Sequence, residues 1–262
     1  MMDFETLLFD VSDHLATITL NRPEAANAIN LTMSRELMQV AIECDENPEI
    51  RAVLITARGK MFSAGGDLKA FIAAESMAHL LKEMTIYLHG AISRFARMNA
   101  PVIVAVNGTA GGGGFSLAMV GDLILAAESA KFVSAYTKSA LSPDGGSTYF
   151  LPRAVGLRRA AELMLTNRVL TAAEALDWRL ITRVVADDDL LAEAVALGKE
   201  LACGPTLAHG RVKQMLLTTF GESLETQMES EARNIADMSR SRDTAEGIAA
   251  FLEKRPPDYR GA

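Results

Sequence analysis

The sequence is poor in cysteine, histidine and aromatic residues. It has two cysteines and four histidines in 262 residues, and only 6 % of the residues are aromatic. Cys44 and Cys203 cannot form a disulfide framework, and neither stands in a CxxC pair or close to a histidine at metal-ligand spacing. The histidines are scattered singly and form no zinc-binding motif. We therefore expect two buried, reduced thiols and no metal site.

The sequence also lacks a basic surplus and long apolar runs. Lys and Arg number 26 against 33 Asp and Glu, which gives a net charge of −7. This balance argues against non-specific nucleic-acid binding, because no excess of cations exists to replace phosphate counterions. No stretch approaches the roughly 18 apolar residues of a membrane-spanning helix, and residues 1–5 lack the positive start of a secretory signal. We expect a cytoplasmic protein without nucleic-acid or membrane partners.

The residues that are abundant indicate a large folded core. Hydrophobic residues make up 49 % of the chain and charged residues 23 %, a balance too apolar for a disordered protein. At ~150 residues per domain, the length fits one large domain, or one domain with an appendage.

The pattern along the chain changes from mixed to helical. Short β-prone runs and helical patterns alternate in the first part; the runs are 7–11, 15–20, 53–55 and 102–106, and the helices begin near Thr32 and span 77–97. After about residue 155 helical patterns dominate, over residues 157–165, 172–176, 190–202, 206–217 and 223–240. Gly204-Pro205 is the clearest break. We therefore predict an α/β core over residues 1–203 and a helical subdomain over residues 204–262.

Two glycine-rich stretches stand beside predicted strands. Residues 62–67 read Phe-Ser-Ala-Gly-Gly-Asp, and residues 107–114 end in four consecutive glycines before a helix predicted to begin near Phe115. Backbone N–H groups bare of side chains at such a place can stabilise an anion. The alternative is a tight strand-to-helix turn that needs unusual backbone angles.

The glycine spacing excludes nucleotide motifs. No three glycines near residue 112 have the spacing of a dinucleotide fingerprint, and the Gly-Lys-Ser/Thr of a phosphate loop is absent. The remaining interpretation is an oxyanion hole, in which one N–H from each loop faces the same developing oxygen charge.

Five segments in order resemble the crotonase (enoyl-CoA hydratase/isomerase) superfamily. They are 21–28, 62–67, 100–114, Asp122 and 251–255. The resemblance implies an α/β spiral of ββα repeats followed by a C-terminal helical trimerisation subdomain, and therefore a homotrimer or a dimer of trimers.

The resemblance also implies an acyl-CoA thioester substrate. Its carbonyl would become an enolate held by the N–H groups of Gly66 and Gly113. Coenzyme A would arrive as part of the substrate, so no tightly bound cofactor is expected. The positions that resemble substrate and coenzyme A contacts are Ala26, Ala64, Gly65, Asp67, Leu68, Tyr136, Phe251 and Lys254. The last two resemble positions that meet the nucleotide end, often across a subunit boundary.

The sequence departs from the hydratases of this superfamily at two positions. Hydratases use two glutamates, because one carboxylate activates water while the other protonates Cα. The corresponding residues here are Ser116 and Tyr136. Glu128 is nearby but corresponds to a surface turn. Classical water addition is therefore disfavoured.

One carboxylate does appear further along, in the segment 141–148. Asp144 follows a proline and precedes two glycines. It could simply cap a helix beginning around Gly146. The same Pro-Asp-x-Gly pattern holds the single acid/base of ring-hydroxylated phenylacetyl-CoA and related enoyl-CoA isomerases. In the 4-chlorobenzoyl-CoA dehalogenase branch, the equivalent aspartate is the nucleophile.

His89 favours the comparison with the dehalogenase. It lies on the predicted helix 77–97, twelve residues before Pro101, where that branch keeps its water-activating histidine. A lone helix histidine can equally be packed or solvent-facing. The sequence lacks aromatic residues expected for the aromatic cage of the dehalogenase, since Tyr136 and Gly66 stand where bulkier aromatic residues are expected.

Three functions remain open on the sequence. The first is an isomerase of unsaturated acyl-CoAs in which Asp144 shuttles a proton and His89 orients or assists it. The second is displacement chemistry with Asp144 as nucleophile and His89 as base. The third is an acyl-CoA binder without turnover. An unconventional hydratase that uses Asp144 is a further alternative. The acyl group stays undefined, because its pocket is expected to involve variable helices such as residues 69–88.

Overall fold

Ten short strands carry the core of the protein. The computed structural model describes residues 3–262. Within them the strands are β1 (Leu7–Ser12), β2 (Leu15–Leu20), β3 (Ala52–Ala57), β4 (Met61–Ser63), β5 (Val102–Val106), β6 (Thr109–Gly111), β7 (Leu123–Ala127), β8 (Lys131–Val133), β9 (Leu170–Thr171) and β10 (Arg183–Val185). β5 is buried throughout, as expected of a strand covered by helices on both faces.

Eleven α-helices lie between and after these strands in the described part of the chain. They are α1 (Leu31–Glu46), α2 (Leu68–Ala73), α3 (Met77–Arg97), α4 (Gly113–Ala118), α5 (Ser147–Val155), α6 (Leu157–Thr166), α7 (Ala172–Asp177), α8 (Leu190–Ala202), α9 (Thr206–Thr218), α10 (Leu224–Met238) and α11 (Arg242–Glu253). The longest, α3, begins where the Ser76 side chain accepts the His79 N–H, which satisfies one of its free donors.

The strands form two sheets. The larger has the order β1-β2-β3-β5-β7-β10; β1 and β2 form an antiparallel hairpin, and the remaining pairs are parallel. The smaller has the order β4-β6-β8-β9, in which β8 and β9 are antiparallel. The hairpin turns at Asp13 and His14, both with positive φ, as a two-residue hairpin loop requires.

From β3 to β8, consecutive strands alternate between the sheets. β3, β5 and β7 are neighbours in the larger sheet, and the strands that follow them, β4, β6 and β8, are neighbours in the smaller one. Each repeat therefore sends one strand to each sheet. The α/β spiral of ββα repeats expected from the sequence is confirmed. Because β4 and β6 pair in parallel, the glycine loops that follow them leave the sheet side by side.

Most predicted elements are present, with differences at some ends. Residues 15–20, 77–97, 102–106 and 190–202 form elements with the predicted bounds. The cap of α1 is Asn30 rather than Thr32, because the Asn30 side chain accepts the Met33 N–H. α4 begins at Gly113 rather than near Phe115, and α11 was not predicted as a helix.

The expectation of two buried thiols was wrong for one of them. Cys44 is buried, whereas Cys203 is exposed. Cys203 stands at the C-terminal end of α8, directly before the Gly204-Pro205 break. Burial of Cys44 among apolar neighbours raises the pKa of its thiol well above the ordinary value.

The last three helices carry many exposed apolar side chains. The most exposed are Leu216, Leu224, Met228, Ile235, Ile248, Phe251 and Leu252. No helix within residues 3–262 has the length and apolar character needed to cross a membrane.

Candidate active site

The two glycine loops meet at the edge of the smaller sheet. The Ile29 N–H donates to Gly65 O at 2.7 Å, and the Asp67 N–H donates to Ile29 O at 2.9 Å. The Gly66 N–H lies between them and has no acceptor among the described residues. The Gly113 N–H, at the first position of α4, has none either. The Gly66 nitrogen lies 3.8 Å from the place that a Cβ on Gly113 would occupy.

Glycine is required where the loops touch. Gly65 has a φ of +101°, and a Cβ there would lie 2.8 Å from Gly111 O. An L-residue would be strained in that conformation and would also push the loops apart. The predicted tight turn and the predicted pair of free N–H groups are therefore both present, because the turn is what exposes them.

A cavity of about 420 Å³ opens beside these two N–H groups. Six of the predicted site residues line it: Ala64, Gly66, Leu68, Gly113, Tyr136 and Asp144. Much of the remaining wall is apolar and comes from α2, α3 and the segment before α5: Phe71, Leu81, Met84, Leu88 and Leu141. Asp144 is the one carboxylate among the lining residues that the structure describes.

The apolar wall was only coarsely predicted. The sequence indicated residues 69–88, and four wall residues fall within that range. Three of them, Leu81, Met84 and Leu88, are spaced three and four residues apart on α3, so helical periodicity could have placed them on one face. Phe71 carries no such signal. Its ring packs where a Cβ on Gly66 would be, at 2.6 Å.

The Asp144 side chain does not cap α5. α5 begins at Ser147, and its N-terminal cap, Gly146, has no side-chain hydrogen bond. Ser147 instead donates through N and Oγ to the Asp144 carbonyl, at 3.2 and 2.9 Å. Gly145 and Gly146 have φ of +59° and +75°. The backbone thus starts the helix, and the carboxylate is left for the cavity.

Two hydroxyls hold Asp144. Tyr136 donates to Oδ1 at 2.6 Å, and the Ser116 Oγ lies 2.7 Å from the Tyr136 hydroxyl. Ser116 also donates to the Asp144 carbonyl at 2.9 Å. Burial, followed by the negative charge of Asp144, raises the pKa of Tyr136 well above its ordinary value, so the phenol keeps its proton. Ser116 and Tyr136, where hydratases carry glutamates, therefore support the single aspartate.

His89 contacts the same turn from the other side. Its Nε2 accepts the Gly145 N–H at 3.1 Å and lies 3.9 Å from Asp144 Oδ2. The imidazole does not line the main cavity. It lines a neighbouring cavity of about 300 Å³ with Ile92, Ser93 and Phe150. The structure thus brings His89 to Asp144, as predicted, but behind the turn that carries the carboxylate.

Other predicted contacts lie around the cavity rather than in it. Asp67 pairs with Arg22 at 3.1 Å and caps α2 through the Ala70 N–H. The Gly65 carbonyl accepts the Ile29 N–H in the turn before Gly66. Ala26 has positive φ, and its carbonyl accepts the Ala64 N–H at 2.9 Å. These residues shape the loop that carries Ala64 and Gly66, and their coenzyme A contacts stay predictions.

Two predicted residues are remote in the single chain. Phe251, on α11, is 83 % exposed, and Lys254 is exposed in the left-handed position that ends the helix. Neither lines the cavity. Their predicted role would require a neighbouring subunit. Within residues 3–262, no cluster of three or more His, Cys, Asp or Glu side chains is placed to hold a metal ion.

Comparisons with known proteins decide the family. The family model described as enoyl-CoA hydratase/isomerase matches residues 10–262. The chain belongs to the enoyl-CoA hydratase/isomerase family. Within this family, the chain is 38 % identical to a 1,2-epoxyphenylacetyl-CoA isomerase of Escherichia coli over 263 residues, which cover all of both chains. The predicted membership of the crotonase superfamily is confirmed.

Other members of the family show how varied its chemistry is. The chain is 32 % identical to 4-chlorobenzoyl coenzyme A dehalogenase-2 of an Arthrobacter species, over 93 % of this chain and 89 % of that one. A crystal structure of an enoyl-CoA hydratase from Bacillus anthracis superposes with a TM-score of 0.93 at 31 % identity, covering 98 % of this chain and all of that one. Because these three relatives are named for three reactions, the family does not define the reaction of this chain, and the site must.

Proposed function

We propose that the protein is an isomerase of unsaturated acyl-CoA thioesters. The observation that carries this proposal is the single carboxylate of Asp144 in a cavity with two free backbone N–H groups. In the proposed reaction the Asp144 carboxylate removes a proton from Cα of a β,γ-unsaturated thioester. The double bond shifts, and the protonated Asp144 returns that proton to Cγ. One carboxylate suffices, because the proton removed is returned elsewhere.

The N–H groups of Gly66 and Gly113 would hold the enolate oxygen. Negative charge builds up on the thioester oxygen when Cα loses its proton. Two donors already pointing at that place stabilise the charge without having to reorganise. The apolar wall from α2 and α3 supports this role, since a surrounding of low polarity strengthens the two hydrogen bonds.

Water addition is less well supported. It needs one carboxylate to activate water and another to protonate Cα. At the two positions where hydratases carry glutamate, Ser116 and Tyr136 offer hydroxyls that are engaged with each other and with Asp144. Neither hydroxyl can act as a base near neutral pH, and Tyr136 holds its proton more tightly than usual. A hydratase would have to use Asp144 for both tasks.

The test follows solvent deuterium into the product. A panel of β,γ-enoyl-CoA and aryl-acetyl-CoA thioesters is incubated in D₂O, and NMR reports the double-bond position and deuterium at Cα and Cγ. D144N, of nearly the same shape, is expected to lower the isomerisation rate by about 10²- to 10⁴-fold. E128Q removes an exposed carboxylate outside the cavity and is expected to keep the full rate. Intact isomerisation in D144N would refute the proposal.

A second candidate is a displacement reaction like that named for the Arthrobacter relative. Asp144 would attack a ring carbon, the halide would leave, and water activated by His89 would hydrolyse the aspartyl ester. The 3.9 Å between His89 Nε2 and Asp144 Oδ2 favours it. Against it, the Gly145 N–H already occupies Nε2. A single turnover in ¹⁸O-labelled water that labels the Asp144 carboxylate would select this reaction.

The remaining alternatives give different outcomes in the same experiments. Formation of a hydroxyacyl-CoA would identify an unconventional hydratase. Tight binding of a CoA thioester without exchange of α-protons would identify a binder without turnover. The proposed isomerase is expected to exchange protons and to form no hydroxyacyl product.

We further propose that the helical part, residues 204–262, forms a homotrimer or a dimer of trimers. Its exposed apolar residues, such as Leu224 and Ile235, support an interface, because large apolar patches on a protein surface are typical of association sites. Light scattering on the eluting protein measures the state, and L224E/I235E is expected to yield monomers. If Phe251 and Lys254 bind the nucleotide end across a subunit boundary, that variant also binds coenzyme A more weakly.

The cytoplasmic location stays a prediction.

A further inference from the structure

A chain of hydroxyls ends on one oxygen of Asp144. Tyr136 donates to Oδ1 at 2.6 Å, and the Ser116 Oγ contacts the Tyr136 hydroxyl at 2.7 Å. Ser116 is fully buried, and its Oγ also lies 2.9 Å from the Asp144 carbonyl, so it shares its single proton between that oxygen and the Tyr136 hydroxyl. The tyrosine hydroxyl is therefore anchored on one side and directed at the carboxylate on the other.

The two carboxylate oxygens are consequently unequal. Oδ1 receives the Tyr136 proton, whereas Oδ2 has no hydrogen-bond donor among residues 3–262. The nearest basic group is His89, whose Nε2 lies 3.9 Å from Oδ2 and is already accepting the Gly145 N–H. A nitrogen that accepts a hydrogen bond carries no proton, so His89 does not donate to Oδ2 in this arrangement. Oδ2 alone is free to exchange a proton with a substrate.

We propose that Tyr136 is a positioning residue for Asp144: its hydroxyl, held by Ser116, fixes the rotation of the carboxylate so that Oδ2 faces the substrate. This inference rests on the proposed isomerase. A base must lie within hydrogen-bond reach of the proton that it removes, so the rotation of the carboxylate decides whether Oδ2 can react.

The phenol suits this task better than a second carboxylate. A carboxylate at position 136 would have no proton to donate and would repel the Asp144 carboxylate. The phenol keeps its own proton, because burial and the neighbouring negative charge raise its pKa. Tyr136 can thus donate to Asp144 without competing with it as a base.

The test compares Y136F with a matched control. Y136F keeps the ring and removes one oxygen atom, and the Ser116 contact with the Asp144 carbonyl holds the turn in place. Y87F removes the same atom from another tyrosine, on α3, whose ring faces Arg35 and does not line the cavity. Circular dichroism and thermal unfolding verify that each variant is folded.

Two readouts distinguish positioning from packing. In Y136F, kcat for isomerisation is expected to fall about tenfold, the rate equivalent of one hydrogen bond to a charged group, with KM nearly unchanged. In Y87F both kcat and KM are expected to stay within about twofold of wild type. S116A, which releases the anchor of Tyr136, is expected to lower kcat in the same way as Y136F but by less.

A readout without turnover separates this inference from the proposed function. Crystal structures of Y136F and of the control variant report the rotation of the Asp144 carboxylate. A carboxylate that has rotated in Y136F, and not in the control, supports the positioning role. An unchanged rotation in Y136F would overturn it. Isomerisation that survives in D144N would refute the isomerase, whereas a rotated carboxylate in Y136F would still establish the effect of Tyr136 on Asp144.

Discussion

His89 is hydrogen-bonded to Gly145 rather than to Asp144. Its Nε2 accepts the Gly145 N–H at 3.1 Å, and the distance to the nearest Asp144 carboxylate oxygen is 3.9 Å. The imidazole therefore contacts the backbone of the turn at the residue that follows Asp144. Because Gly145 and Gly146 both have positive φ and little side-chain support, this hydrogen bond is one of the few that fix the turn from outside the cavity.

Substitution of His89 is expected to depend on whether an acceptor remains. H89Q places an amide oxygen near the position of Nε2, and its isomerisation kcat/KM is expected to stay within about threefold of wild type. H89A removes the acceptor and is expected to lose about fivefold, close to 1 kcal/mol. If His89 acted as a base, both variants would lose at least about 10²-fold, and steady-state kinetics would show equal damage.

The Gly113 N–H can be removed with little damage to its helix. Gly113 is the first residue of α4, a position where proline is tolerated, since the lost N–H has no partner within the helix. G113P is expected to lower kcat for isomerisation by about 10²- to 10³-fold, as loss of one oxyanion donor does elsewhere. G113A keeps the donor, and its Cβ would lie 3.4 Å from the flexible Ile29 side chain. Equal losses in the two variants would point to packing instead.

An ion pair between a buried lysine and a partly exposed aspartate joins the C-terminal helices to the core. The Lys213 ammonium, on α9, lies 2.8 Å from Asp122 Oδ2 and donates to the carbonyls of Ala100 and Phe95 at 2.8 and 3.0 Å. The Val102 N–H donates to the same Asp122 oxygen at 2.7 Å. Burial lowers the pKa of Lys213, and the Asp122 carboxylate partly offsets this.

Breaking this pair is expected to destabilise the protein. K213M leaves two buried carbonyls without their donor, while the partly exposed Asp122 carboxylate can bind water, and we expect a loss of about 2 kcal/mol in the free energy of unfolding. Urea unfolding at pH 7 measures the loss. D122N/K213M removes both charges and is expected to recover part of it. A loss below about 1 kcal/mol in K213M would contradict the role of the pair.

Acid is expected to weaken the contacts between α11 and the C-terminal tail by protonating Glu246. Its carboxylate accepts two hydrogen bonds from Arg255, at 2.6 and 2.9 Å, and one from the Asp258 N–H at 2.8 Å. These partners, Arg255 first, lower the pKa of Glu246 from 4.5 to about 2. A carboxyl whose pKa is lower in the folded state stabilises folding above the unfolded pKa, and it loses that contribution as the pH falls from about 4.5 to 2.

The measurement is a comparison with E246Q across this pH range. Wild type is expected to melt at a higher temperature than E246Q at pH 7, with the difference shrinking as the pH falls below about 4.5. E229Q removes an exposed i,i+4 partner of Arg233 and serves as the control, with a smaller difference at pH 7. A difference for E246Q that stayed constant down to pH 3 would contradict the assignment.

Local signals in the sequence were sufficient for many elements. The helix 77–97 and the strand 102–106 have the predicted bounds, because apolar periodicity and nearby capping or breaking residues determine such segments locally. α11 (Arg242–Glu253) was missed, although Ser241 caps it by accepting the Thr244 N–H. It is stabilised in part by contacts with the chain that follows it, such as those of Asp243 with the Arg260 and Gly261 N–H groups, and no local pattern predicts such contacts.

The candidate site was predicted in its parts but not in its arrangement. The glycine loops and Asp144 could be named from the sequence, since glycine runs and a Pro-Asp-Gly-Gly turn are rare and chemically suggestive. For Asp144, the sequence by itself left helix capping and catalysis both open. The structure excludes the cap, because the Ser147 N–H bonds to the Asp144 carbonyl and leaves the carboxylate free.

The sequence by itself determined the family, the alternation of strands and helices, and the absence of the two hydratase glutamates. Only the tertiary structure decided what replaced them. Ser116, Tyr136 and Asp144 are separated by 20 and 8 residues, and no local pattern relates such positions. They meet because β6 and β8 are neighbours in the smaller sheet and deliver the segments that follow them to one cavity. Hydrogen bonds between remote side chains depend on that folding, whereas helix and strand periodicity does not.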